Sequence, residues 1–317
     1  MSKKQIFSFL GLTLVVLLWG IAPVVSKYLF DNSYYSPALL VAVRGLLSCA
    51  AMAVFIAFTG GFKEINKTYW ICIPAGVILG LAYLFQFIGL EGTTPAKNTF
   101  LESLSCIAVP IVMFLLVREK PSIPAIIAAV ACLFGSFVLC GKGWDFTAMF
   151  TSPTLGDILS AIGGIFFGID IAFTKVFAKG KNAWVYVFFQ IVILTIMSFA
   201  YALPFEKNLA FSWAFPNLMI LLFLGVGCTA ICWVLRTICI RNVSAVTCAV
   251  LMPMAAVIAT LISIIFRMEE FSWNVIAGGI IITLAIVLSG IYDARQEKKL
   301  ELLKAKEETP NDEDQSE

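Results

Sequence analysis

Histidine is absent from all 317 residues, which removes histidine general bases, Ser-His and Cys-His nucleophile pairs and histidine-ligated metals. Charge is scarce as well. Charged residues make up 13% of the chain against 60% hydrophobic, close to the inverse of a soluble domain. Of the 42 charges, 14 lie in the last 25 positions, Asp293 to Glu317, so the body is drier than the average. No G-x-x-x-x-G-K-[ST], H-E-x-x-H or G-x-S-x-G run occurs, and no loop is long enough for an ATPase. An enzyme is therefore not expected, nor is a cofactor, a bound metal or a nucleic-acid partner.

What remains is apolar sequence in lengths that cross a bilayer, for which about 20 residues are needed. Ten such runs are predicted: Ile6 to Val25, Pro37 to Phe58, Trp70 to Leu90, Thr99 to Val117, Ile123 to Gly141, Leu155 to Phe177, Ala183 to Leu203, Pro216 to Cys239, Ala245 to Phe266 and Trp273 to Tyr292. The fold class is an all-α integral membrane protein. The first run carries Trp19 and Pro23 without a small-residue cleavage pattern, so it reads as a retained helix and the mature chain is expected to start near Met1. With the N-terminus inside, fifteen Lys and Arg fall on the cytoplasmic side and five outside, with Arg44 and Arg236 inside spans. Both termini are thus expected in the cytoplasm, in a cell membrane. After Asp293 the chain should continue as a short cytoplasmic helix to about Glu308, its bases next to lipid headgroups, then an acidic end at Asp312, Glu313, Asp314 and Glu317.

The nine cysteines all sit in or beside apolar spans, where disulfides are not expected; the Cys228 and Cys232 pair at i, i+4 reads as core packing rather than a soft-metal site. Gly76-x-x-x-Gly80 and Gly164-x-x-x-Gly168 read as close helix contacts. Pro23, Pro74, Pro110 and Pro253 free carbonyls within spans, and Pro110 and Pro253 are the candidate hinges.

The sequence also repeats itself. Trp19-Gly20-Ile21 followed by Ser26-Lys27 matches Phe167-Gly168-Ile169 followed by Thr174-Lys175 at an offset of 148. Leu79-Gly80 with Leu224-Gly225, Ala96 with Ala245, Glu119 with Glu269 and Gly141 with Gly290 follow in order at offsets of 145 to 150. Five helices per repeat is an odd number, so the second half should insert upside down, with Lys27 outside and Lys175 inside. The predicted organisation is residues 1–5 as a cytoplasmic start, 6–141 and 155–292 as two inverted five-helix repeats, and 293–317 as a charged cytoplasmic tail. Inverted repeats are the usual basis of alternating access around a midplane site.

These features resemble the EamA type of the drug/metabolite transporter superfamily over residues 6 to 292. The residues that carry the resemblance are Trp19-Gly20, Arg44, Pro110, Pro253, the turns Arg118-Glu119-Lys120-Pro121 and Glu269-Glu270, and Gly278, Gly279 and Gly290. Ala128 and Ala129 depart from it, standing where the family pattern has a glycine. The resemblance implies a ten-helix transporter and leaves the cargo unspecified.

An ionisable residue at membrane depth is costly, so each is a functional candidate. Arg44 and Glu102 fall in the outer part of helices 2 and 4 and can pair; Asp170 and Arg236 fall toward the inner ends of helices 6 and 8 and can pair on the opposite side. Arg236 is close enough to the cytoplasm to snorkel. Substrate binding or coupling is assigned to Arg44, Glu102, Asp170, Trp19, Gln86 and Gln190, the last at an offset of 146 from Arg44. Arg236 and Lys175 are the candidate gate. The function expected is secondary active transport of small organic metabolites, amino-acid or drug-like, as an exporter with a coupling proton; the alternatives are an uptake carrier or a non-transporting membrane sensor or scaffold.

Overall fold

The computed structural model describes residues 3–118, 120–141, 153–206 and 209–308. Glu119, Lys142, Lys207 and the acidic end Asp312, Glu313, Asp314 and Glu317 lie outside the described residues. Among the described residues ten helices are long and apolar enough to cross a membrane. They are α1 (Lys3–Asp31), α2 (Pro37–Thr59), α3 (Cys72–Glu91), α4 (Pro95–Val117), α5 (Ile123–Cys140), α6 (Leu155–Phe177), α7 (Ala183–Phe205), α8 (Phe215–Cys239), α9 (Ala245–Ile265) and α10 (Trp273–Glu308). The tail helix to Glu308 is thus a continuation of α10.

Local sequence sets the helix starts. Thr94 and Ser122 accept hydrogen bonds from Lys97 N and Ala125 N, with proline at an early position where its missing N–H costs nothing. Thr154 and Asp157 form a reciprocal capping box on α6. For this reason α4 begins at Pro95, behind its Thr94 cap, rather than at Thr99; α1 runs on to Asp31, past Lys27. Pro74 lies in the first turn of α3, where no intrahelical donor is lost, so it frees no carbonyl there.

Replacing each helix by the one five places later preserves the neighbours: α3 packs on α6 and α8 on α1, α3 on α7 and α8 on α2, α4 on α6 and α9 on α1. The remaining equivalents pack on each other. Phe55 of α2 lies 4.0 Å from Trp184 of α7, while Gly45 faces Thr195, so these two helices run antiparallel. In α5 and α10, Gly135 faces Ile282 and Gly278 faces Leu139, again antiparallel. A methyl on Gly278 would come within 2.5 Å of the Leu139 backbone nitrogen, so this crossing admits only glycine. The glycine pairs of α3 and α6 serve the same purpose: methyls on Gly76 and Gly80 would meet Ile193 and Met197 of α7, and on Gly164 and Gly168 the backbone of Leu101 and Cβ of Ala108.

Two helices are interrupted at matched places. α4 breaks at Ser103 and Leu104 between Pro95–Glu102 and Ser105–Val117; α9 breaks at Met252 and Pro253 between Ala245–Leu251 and Met254–Ile265, 149 residues later. The first part of α4 packs on the second part of α9, and the reverse, so the two breaks cross at the centre. Pro253 sits in its break, whereas Pro110 lies inside the continuous second part of α4.

Candidate functional site

A chamber with about 650 Å³ of empty space, the open solvent at its mouth included, lies among α1, α2, α3, α4, α6, α8 and α9. The buttressing helices α5, α7 and α10 contribute nothing to its wall. The breaks of α4 and α9 do, through Glu102 and Ser105 on one and Met252 and Ala255 on the other. Five aromatic rings belong to the remainder. Trp233 lies 4.9 Å from Trp19, 5.9 Å from Tyr83 and 6.3 Å from Phe167, and Tyr83 stacks on Phe87 at 5.7 Å. The Trp233 indole donates to the Tyr83 hydroxyl at 2.6 Å, which fixes the two rings edge to edge.

Arg44 enters this wall from α2 with only 2% of its surface exposed. Its position depends on a π-helical stretch, Phe223–Ile231, inside α8. The wider turn offers carbonyls to side chains of other helices: Leu224 O accepts from Arg44 Nη2 at 3.3 Å, Gly225 O from Ser48 at 2.5 Å, and Cys228 O from the Trp19 indole at 2.8 Å. Thr229, in the same stretch, accepts from Arg44 Nε at 2.9 Å and donates to Leu224 O at 2.7 Å. The guanidinium carbon lies 5.4 Å from the Tyr83 ring centre and 5.1 Å from that of Phe87. Nη1 is left without a hydrogen-bond partner.

The expected Arg44–Glu102 pair does not form. Arg44 is turned toward the neutral oxygens of α8, and Glu102 takes its hydrogen bond from the Gln86 side-chain amide of α3. Both nevertheless line the chamber. The second expected pair does form: Arg236 meets Asp170 at 2.8 Å, with both side chains at most 1% exposed. Arg236 therefore does not snorkel, because its partner and the Trp233 ring, 4.6 Å away, hold it inward. It lines the same chamber as Arg44 rather than a separate one. Gln190 donates to Asp170 at 3.0 Å and Thr174 reaches it at 3.5 Å, so Gln190 supports the ion pair from behind the wall. Lys175 lies outside the wall, donating to Ile240 O, Arg241 O and Val243 O at 2.8, 3.2 and 2.6 Å. Arg241, between α8 and α9, has its pKa lowered by burial, with the Tyr69 phenol opposing the change. Cys228 and Cys232 are buried packing groups, and no group of three or more metal-ligating side chains occurs among the described residues.

Sequence reasoning missed Trp233 and Thr229. The signal for Trp233 was its place three residues before Arg236 on one helix face. Thr229 gave none, since its role follows from the irregular turn.

The chamber is mostly apolar with a few ionisable groups in its wall, and the EamA-like transporter family model matches the chain twice, over residues 6–141 and 154–291. The chain belongs to the EamA-like transporter family. It is 27% identical over 212 residues to an "Uncharacterized transporter" of Archaeoglobus fulgidus, covering 65% of this chain and 62% of that protein. It is 22% identical over 299 residues to the "Uncharacterized transporter YoaV" of Bacillus subtilis, covering 90% and 98%. A crystal structure superposes with a TM-score of 0.71 at 16% identity over 92% of this chain and 99% of the other, a likeness of fold alone. The protein is an EamA-type multi-pass membrane transporter.

Proposed function

We propose that this EamA-type protein exports small amphipathic organic metabolites, amino-acid or drug-like, by alternating access of two inverted five-helix halves in the cell membrane, with both termini cytoplasmic. One observation carries the reading. Arg44 and Glu102 bring a basic and an acidic side chain into one chamber yet bond to other groups, so a solute with an acidic and a basic end can bridge them while its apolar body lies on Trp19, Phe167 and Trp233. The unpartnered Nη1 of Arg44 is the donor to a carboxylate of the cargo. Asp170 and Arg236 close the inner end as a neutral pair, so the occupied chamber stays near electroneutrality when the cargo is a zwitterion.

Glu102 is the coupling group in this reading. It has no cation beside it among the described salt bridges and shares its hydrogen bond with neutral Gln86, so it can take a proton in place of the basic end of the cargo. The antiparallel packing of α2 on α7, α4 on α9 and α5 on α10 supports the inverted halves, and the crossed breaks of α4 and α9 supply the place for them to bend, Pro253 directly and Pro110 from within the adjoining helix.

Counterflow in proteoliposomes tests the reading. Vesicles loaded with unlabelled phenylalanine or tryptophan should accumulate the labelled solute transiently without a driving force, more slowly for Arg44→Lys. Absence of counterflow across a panel of zwitterions, carboxylates and organic cations would remove the transport assignment.

A further inference from the structure

Two lysines occupy equivalent places in the two halves, 148 residues apart, near the last turns of α1 and α6. Each reaches across to the end of the equivalent neighbouring helix. Lys27 Nζ donates to Glu91 O, the last residue of α3, at 2.7 Å. Lys175 Nζ donates to Ile240 O, Arg241 O and Val243 O, in the turn that follows α8. The physics is the same at both sites. A helix C-terminus ends in carbonyls without intrahelical donors and carries partial negative charge, and an ammonium group satisfies both needs at once.

The two sites are unequally closed. At the α8–α9 turn the strap runs both ways, because Arg241 of that turn donates back to Ala178 O at 3.1 Å and Lys181 O at 2.7 Å, just beyond α6. At the α3–α4 turn no described side chain donates back to the end of α1 in this way. Lys27 there makes a single carbonyl bond, exposed to solvent, and spends its remaining charge on Asp31 at 3.2 Å, itself 51% exposed. Both turns are also tied to the other half's helix: Lys97 and Thr93 hold Asp157 of α6 at 2.6 and 2.7 Å, and Asn242 holds Ser8 of α1 at 2.9 Å. Each turn is thus clasped between α1 and α6, and the lysine is the clasp common to both.

We propose that Lys27 and Lys175 are the matched latches of the transport cycle, each sealing one membrane face by docking its helix on the adjacent C-terminal carbonyls, with the Lys175 face locked in the conformation described. The inference rests on the alternating-access reading and adds to it which groups seal each face. When one latch releases, the half it restrained is free to rock, and the opposite turn closes more tightly as the population moves.

Hydrogen–deuterium exchange of the full-length protein in lipid nanodiscs tests this without any cargo. In Lys175→Met, amides of residues 239–245 should exchange about threefold or more faster and those of residues 90–96 should slow; Lys27→Met should give the mirror image. Lys→Arg at either position should restore the native pattern. Acceleration confined to the mutated turn, with the opposite turn unchanged, would identify two static clasps and overturn the proposal. Should Lys175→Met fail to fold, Lys175→Gln and Lys27→Met carry the same test. Failure here leaves counterflow untouched, whereas absent counterflow with reciprocal exchange would remove transport and keep the two-state device.

Discussion

Arg236 faces a carboxylate at 2.8 Å with Gln190 and Thr174 around it, while Arg44, just as deeply buried in the wall of the same chamber, is held by a hydroxyl, a carbonyl and two aromatic faces. The first has its charge neutralised within the protein. The second has no carboxylate among its described partners and its Nη1 carries no hydrogen bond, which the proposed function assigns to the cargo. Burial costs both guanidiniums dearly, and the cost is met by a carboxylate at one and by neutral oxygens and rings at the other; under the proposed function only the second receives the cargo.

That contrast predicts unequal consequences. Asp170→Asn strands Arg236 without a counter-charge and should cost about 3–5 kcal/mol of stability. Thermal unfolding in detergent should show it, and Asp170→Asn combined with Arg236→Met should recover most of the loss; no recovery would mean that the pair is not an isolated unit. Arg44→Lys should cost about 1–2 kcal/mol of stability, less than Asp170→Asn, but weaken transport of a carboxylate-bearing solute about 10- to 100-fold, through the apparent affinity, because a lysine cannot keep the Thr229 and Leu224 contacts and present a free edge. Equal losses of stability in Arg44→Lys and Asp170→Asn would erase the distinction.

Glu102→Gln should preserve folding, since Gln86 still has an amide oxygen to donate to, while flattening the dependence of transport on external pH. An unaltered pH profile would assign coupling elsewhere, with Asp170 next in line. Thr229→Val should cost about 1 kcal/mol in stability and a similar factor in affinity, and Thr229→Ser should behave as the native protein, since only the hydroxyl aims Arg44. Ala at Gly278 has no bearing on either arginine. It should destabilise the α5–α10 crossing by about 1–3 kcal/mol without changing apparent affinity, which serves as the control for packing alone.

Much of the scaffold was legible in the chain. Ten apolar runs, their repeat and the buried charges each rest on a local or periodic property, and a membrane permits few alternatives to a helix once a run is long and dry. The site was legible as a roster of residues and far less as a set of contacts. Arg44 and Glu102 look like partners by depth, but depth along a helix says nothing of rotation about its axis, and α2 turns Arg44 toward α8. Arg236 was read as able to reach the cytoplasm from its distance to the helix end, and the position of Asp170 on a helix 66 residues earlier decided otherwise.

The sequence by itself determined that the chain is membrane-embedded, ten-helical and internally repeated, because hydrophobic length and the scarcity of charge are sums over residues that no packing can alter. Only the tertiary structure decided which arginine is spent and which is free, where α4 and α9 break, and that a π-helical turn of α8 aims Arg44 into the chamber. Those outcomes depend on register and rotation between helices far apart in the chain, which are settled by close packing and by the need to satisfy every buried polar group at once.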